Sequence, residues 1–166
     1  MSRPTPRSNK RQAPPAREQR RTPAGDAASL VAILVLRLAG HLTAAGDEMS
    51  KPAGQTSARW QVLATVEDEP ATVASIARAL GLARQSVQRV ADLLARDGLA
   101  IYLDNESDRR AMLLQLTTRG RSVLRTIQAA QRQWANALGA ELGEKELRAA
   151  AATLVKMLDL LDSVEE

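Results

Sequence analysis

Apolar positions recur along this chain in two rhythms, and each rhythm predicts a different kind of element. Between Thr72 and Arg96 the spacing is three to four residues, with Ile76 and Leu80 before a glycine and Val87, Val90 and Leu94 after it. This predicts two short helices, over 73–80 and 83–96, whose apolar stripes face each other. Gly81 stands where the first must stop and the chain must reverse. From Leu99 onward, 99–103 and 111–116 read as two strands around a polar tip, 104–110, which makes a hairpin. The rest of the chain is helical in period. A helix is expected over 26–45, then a loop over 46–54 containing Pro52. A second helix, capped by Thr56 or Ser57, turns Trp60, Leu63 and Val66 inward and ends at Glu67-Asp68-Glu69 and Pro70. Thr117 caps a long helix to about 138, a break is expected over 139–143, and a last helix over 144–161 aligns Leu147, Leu154, Leu158 and Leu161. The fold class that follows is mainly α, with a small β contribution.

Two helices joined by a tight turn, with a small Ala77 where their axes cross, match a helix-turn-helix unit. The amino-terminal side chains of its second helix are Arg84, Gln85, Ser86, Gln88 and Arg89, all of the donor or acceptor types that read a DNA major groove. The hairpin directly behind that helix carries Arg109 and Arg110 at its tip, as a wing would toward a neighbouring minor groove. Helix pairs with a central glycine also occur in proteins that touch no nucleic acid, and it is the hairpin that shifts the balance to double-stranded DNA.

The helix over 26–45 is apolar around much of its circumference, which implies burial on more than one side and, in a small protein, contact with a second copy. The helices over 117–138 and 144–161 likewise have no obvious partner in the compact winged region. Residues 26–54 and 117–162 are therefore read as a helical dimerisation region and 55–116 as the DNA-binding region of one domain. Arg37 interrupts the apolar run that starts at Ala27, which makes that run too short to span a bilayer. No small-residue cleavage pattern ends it, so neither export nor a membrane partner is expected.

Charge is unevenly placed. The formal net charge is +4, yet Arg3, Arg7, Lys10, Arg11, Arg17, Arg20 and Arg21 lie within residues 1–25 against Glu18 alone, so the remainder is slightly acidic. Residues 1–25, rich in Pro and Arg, are read as a disordered basic arm able to add nonspecific phosphate attraction, and 163–166 as an acidic tail. With no cysteine and His41 the single histidine, thiol chemistry is excluded. No ligand spacing suggests a metal, and no constellation suggests catalysis or a cofactor.

The order of elements over 26–162 resembles the MarR family of winged helix-turn-helix transcription regulators. The resemblance rests on Ala77, Gly81 and Val87 in the helix pair, on DGL at 97–99, and above all on DRRAMLLQLTTRG at 108–120. It implies a homodimeric, cytoplasmic, nucleoid-associated regulator, most simply a ligand-responsive repressor, whose two winged regions address the halves of a pseudopalindromic operator. It further implies that Arg110 enters the minor groove, that Asp108 steadies the wing turn through a charge-assisted bond, and that Arg109 faces phosphates. It also implies a pocket for a small aromatic or lipophilic effector, for which His41, Arg59 and Trp60 are the residues to inspect, each having a plainer reading as surface or packing. The chain departs from the family in two places. Ala83 stands where a capping Ser or Thr is common, and Ile101 and Tyr102 where basic wing residues are common. These departures support a rival reading, a dimer of the same fold that has lost DNA binding and serves as a protein-interaction or ligand-sensing module.

Overall fold

The computed structural model describes residues 20–163, so residues 1–19 of the arm and 164–166 of the tail lie outside the described residues. The elements in order are α1 (Pro23–Ser50), a single 3-10 turn (Lys51–Ala53), α2 (Ser57–Thr65), β1 (Ala71–Thr72), α3 (Val73–Leu80), α4 (Arg84–Arg96), β2 (Ala100–Leu103), β3 (Leu113–Leu116), α5 (Thr118–Leu142) and α6 (Glu144–Asp162). Two compact units are distinguished, one ending at Ala39 and one starting at Gly40. The second holds everything from the 3-10 turn to α6. This is a mainly helical, winged-helix architecture with a small antiparallel sheet.

The core of the second unit is built from the positions that the helix period selects. Val62, Leu63 and Val66 come from α2 and its end, Ile76 and Ala77 from α3, and Val87, Ala91 and Leu94 from α4, with Leu99, Leu114 and Leu116 from the hairpin. An eight-residue helix such as α3 has little stability alone. It is held by burying Ile76 completely, a contribution of roughly 2 kcal/mol, and by Thr72, whose hydroxyl accepts from the Ser75 backbone N–H at 3.1 Å. The sheet has the order β1-β3-β2, all pairs antiparallel, with Tyr102 opposite Leu114 and Ala71 also opposite Leu114 on the other side. β1 has no counterpart in the sequence reading, because two residues are too few to show any alternation.

Several boundaries differ from those expected. The first helix begins at Pro23, inside what was read as the arm, because Thr22 caps it: its Oγ1 accepts from the Gly25 N–H at 3.1 Å, and proline suits a first helical turn. The same helix continues through Gly46 to Ser50, and Pro52, not the glycine, ends it. Gly139 remains helical and the chain turns at Gly143 instead. The expectation that α5 lacks a partner in the winged region is also overturned, since Leu124 is buried in that core and Val123 packs against it. In addition, Gln128 donates to a Glu67 carboxylate oxygen at 2.6 Å and Arg121 to the Glu67 carbonyl at 2.5 Å.

The reading that the first apolar stretch is too short for a bilayer needs correction as well. Pro23–Ala53 is long and apolar enough to cross a membrane by length and composition, with a mean hydropathy of 1.7 in its most apolar window. One arginine in such a window is compatible with that average. Leu30, Ile33, Leu34, Val35, Leu36, Leu38 and Leu42 are all exposed in the single chain.

Candidate nucleic-acid interface

α4 presents its polar face because Val87, Ala91 and Leu94, at spacings of four and three, are drawn into the core. That leaves Arg84, Gln85, Ser86 and Arg89 exposed. Arg84, Gln85, Gln88, Arg89 and Asp92 line one open groove along the helix. The turn before it is set by Gly81, whose φ of +62° only glycine adopts freely, and by the Leu82 N–H bonding the Ala77 carbonyl at 2.9 Å. Ala83 is the N-cap and supplies no side-chain bond. Its carbonyl accepts from Ser86 and Val87, while the first backbone N–H groups stay open to solvent or to an anion.

The hairpin tip is closed by local hydrogen bonds. Asp108 Oδ1 accepts from the Arg110 backbone N–H at 3.0 Å, and the Asp108 carbonyl from Ala111 at 3.1 Å. Arg109 and Arg110, both exposed, diverge. Arg110 lines a cleft of about 250 Å³ together with Thr72, Arg84, Gln88, Tyr102 and Met112. Arg109 lines another with Asp104, Asn105 and Glu106. Helix and wing thus share a concave surface in which Arg84 and Arg110 both stand. Among the described residues neither they nor Gln85, Ser86, Arg89 and Arg109 has a side-chain hydrogen bond or ion pair.

Gln88 and Tyr102 depart from what the sequence suggested. Tyr102 donates its hydroxyl proton to Asp92 Oδ1 at 2.8 Å and accepts from Gln88 Nε2 at 2.9 Å, while Gln88 Nε2 also donates to Asp92 Oδ1 at 2.9 Å. Gln88 is therefore not a free reading group, and Tyr102, read as an apolar intrusion into the wing, joins β2 to α4. Partial burial, followed by the adjacent Asp92 carboxylate, pushes the phenol up to about 12, so it stays a proton donor at any ordinary pH.

Of the candidate effector residues, His41 is exposed on α1 and Trp60 is half-buried against the core. Arg59 is committed elsewhere: its guanidinium meets Asp97 Oδ2 at 2.7 Å. Arg59 first, and Arg96 beside it, hold the Asp97 carboxyl below the usual aspartate value. The pair compensates a negative charge at the carboxyl end of α4, where the helix dipole disfavours one. Residue spacing could not disclose it, because the partners are 38 positions apart.

The MarR family model matches residues 53–111, which run from the 3-10 turn through the wing tip. The winged region is similar to the MarR family. The uncharacterized protein Rv2011c of Mycobacterium tuberculosis is 46% identical over 93 residues, a stretch spanning 56% of this chain and 65% of that protein, slightly under two thirds of its length. The transcriptional repressor MprA of Escherichia coli is 28% identical over 141 residues, covering 81% of this chain and 80% of its own. Among solved structures, the transcriptional repressor CouR bound to a 23-mer DNA duplex has a TM-score of 0.70 at 23% identity, covering 84% of this chain and 99% of that one. At that identity the likeness is one of fold. Members of the family are transcription regulators, not enzymes.

Proposed function

We propose that this chain is a sequence-specific double-stranded DNA-binding regulator, acting as a homodimeric, ligand-responsive repressor on a pseudopalindromic operator. The observation that carries the reading is the shared cleft: Arg84 of α4 and Arg110 of the wing face one concavity with their side chains unengaged. α4 would enter the major groove, with Arg84 and Gln85 at base edges, while Arg110 reaches the minor groove and Arg89 and Arg109 meet phosphates. A phosphate at the open start of α4 would take the place of the missing cap on Ala83. That MprA and CouR are named repressors, and that CouR is bound to a duplex, supports the same assignment.

The homodimer is supported by the exposed leucines of α1 and by Val155, Leu158, Leu160 and Leu161 of α6, a quantity of apolar surface unusual on a lone soluble chain. A second copy would cover it, which also favours a cytoplasmic protein over a membrane-inserted one. Two α4 helices would then lie about one DNA turn apart. An effector would act by favouring a spacing that fits only one half-site. Buried polar atoms without partners fall together at Ser50, Gln55, Arg59 and Trp60, and a small aromatic molecule with hydrogen-bonding groups would suit that stretch.

Binding of the purified full chain to duplexes from its own upstream region, with mass measured by light scattering, tests this. Sub-micromolar binding by a dimer is expected, with Arg110→Ala weakening all duplexes and Arg84→Ala or Gln85→Ala changing the order among them. Equal, weak affinity for every duplex would establish the non-DNA module instead.

A further inference from the structure

We infer that Tyr102 is the positioning residue of the wing: its hydroxyl, tied to Asp92 on α4, fixes where Arg110 stands relative to the reading helix before DNA is met. This rests on the DNA-binding reading above and deepens it. The ring of Tyr102 is half-buried against the core and lies opposite Leu114 in the sheet. Apolar packing of that kind is non-directional, so it sets the depth of the ring and not its place along the helix. The hydroxyl adds direction. It donates to Asp92 Oδ1 at 2.8 Å, and a Gln88 N–H shared between that oxygen and the hydroxyl, with 2.9 Å from Nε2 to each, closes the triangle. Among the described residues these are the side-chain hydrogen bonds that run from the two hairpin strands to α4.

The sheet has two other ties. β3 pairs with β1, which leads directly into α3. At the base of the hairpin the Thr117 hydroxyl donates to the Gly98 carbonyl at 2.8 Å and Arg119 donates to the Asp97 carbonyl at 3.1 Å, both just past the end of α4. Two ties define a line about which the hairpin can tilt, and a third away from that line removes the tilt. Tyr102 supplies the third, at mid-helix. Arg110 lies beyond it on the wing tip and lines the same cleft as Tyr102, Gln88 and Arg84. An arginine on a tilting wing has to be ordered by the duplex at the moment of binding, whereas one on a fastened wing is ordered in advance. Tyr102 thus serves DNA binding through Arg110, although it brings no charge to a phosphate.

The experiment is a double-mutant cycle on duplex affinity with the full-length protein, crossing Tyr102→Phe with Arg110→Ala at a temperature below the unfolding midpoint of every variant. Phenylalanine keeps the ring and removes only the hydroxyl. Tyr102→Phe should weaken binding by about threefold to tenfold, the worth of one hydrogen bond, and should do so only while Arg110 is present. In the Arg110→Ala background the further loss should be less than about twofold. Without DNA, NMR relaxation of the backbone amides over 104–112 should show larger motion in Tyr102→Phe than in the wild type. Equal losses in the two backgrounds would make Tyr102 a direct DNA contact or a general support of the fold, and no loss in either would make it ordinary packing. Each of these, or wing motion unchanged by the substitution, overturns the inference while leaving DNA binding intact. A wild type that binds every duplex weakly and alike would overturn the DNA-binding reading itself, and the inference with it.

Discussion

Gly120, in the first turn of α5, packs against the backbone of Leu99 so closely that a β-carbon there would lie 2.0 Å from the Leu99 carbonyl oxygen. Real β-carbons essentially never come within 3.0 Å, so alanine at this position requires a shift of at least 1 Å, the difference between 3.0 and 2.0. The obstacle is backbone and cannot rotate away. The same junction holds a set of hydrogen bonds that a shift would break. The Thr117 N–H donates to the Leu99 carbonyl at 3.1 Å, the Thr117 hydroxyl donates to the Gly98 carbonyl at 2.8 Å, and the Gly120 N–H donates to that hydroxyl at 3.0 Å. Overpacking costs about 1–3 kcal/mol and loss of a threonine cap about 1 kcal/mol, so Gly120→Ala should destabilise the protein by about 2–4 kcal/mol. At about 3 °C per kcal/mol for a chain of this size, the midpoint of thermal unfolding falls by about 6–12 °C.

The same helix supplies its own control. Gly139 is helical, and a β-carbon there meets nothing within 4 Å, so Gly139→Ala removes backbone freedom from the unfolded chain without a clash and should stabilise by about 0.5–1 kcal/mol. Far-ultraviolet circular dichroism melts and urea titrations of both variants measure the contrast. A Gly120→Ala protein melting within about 2 °C of wild type, or equal losses in the two variants, would refute the claim that backbone contact, and not helix propensity, decides the sign.

Three further outcomes are expected. Arg59→Met should remove the stabilisation that Asp97 derives from its depressed pKa. That contribution is complete above the ordinary aspartate range and is lost as pH falls through the lower folded-state value, so in urea unfolding the gap between variant and wild type should hold at neutral pH and close as pH falls below 3.8. Tyr102 has the opposite sign. Raised from 10.0 to about 12, it keeps its proton in the folded protein while the unfolded chain releases it, so stability should fall as pH rises from 10 to 12, a slope that Tyr102→Phe should flatten. Arg109→Ala, which removes a phosphate contact on the proposed reading, should lower the salt dependence of DNA binding by about one phosphate equivalent. An unchanged salt slope in that variant would contradict this.

The parts of the fold legible in the sequence were those encoded by local period. Ile76, Val87 and Leu94 fix the faces of α3 and α4, and the alternation of Leu114 and Leu116 fixes which side of β3 is inward, because burial selects one face and spacing declares it. Breakers were read less well. Gly46 and Gly139 look the same in a sequence as Gly81 and Gly143, yet the chain turns only at the latter two, and what distinguishes them is the structure that follows. The site residues Arg84, Gln85 and Arg110 were legible as positions on an exposed helix and at a hairpin tip. What each side chain bonds to was not, because Gln88 and Tyr102 are 14 residues apart and Arg59 and Asp97 are 38. Only the register of β2 on β3 and the packing of α2 on α4 bring them together.

The reading surface is therefore rigid in its frame and loose in its charges. α4 and the wing are joined at mid-helix by Tyr102, Gln88 and Asp92, and behind it by Thr117 on Gly98 and Leu99 and by Arg119 on the Asp97 carbonyl. None of these bonds involves DNA, so the cleft between Arg84 and Arg110 exists before a duplex arrives. The ordering required on binding is confined to the unengaged arginines, up to about 1.5–2 kcal/mol for each side chain immobilised. A phosphate contact can be made in many rotamers and gives up little of that freedom, whereas a base-edge contact demands one. On the proposed reading Arg84, aimed at base edges, therefore gives up more side-chain freedom on binding than Arg89 and Arg109, aimed at phosphates.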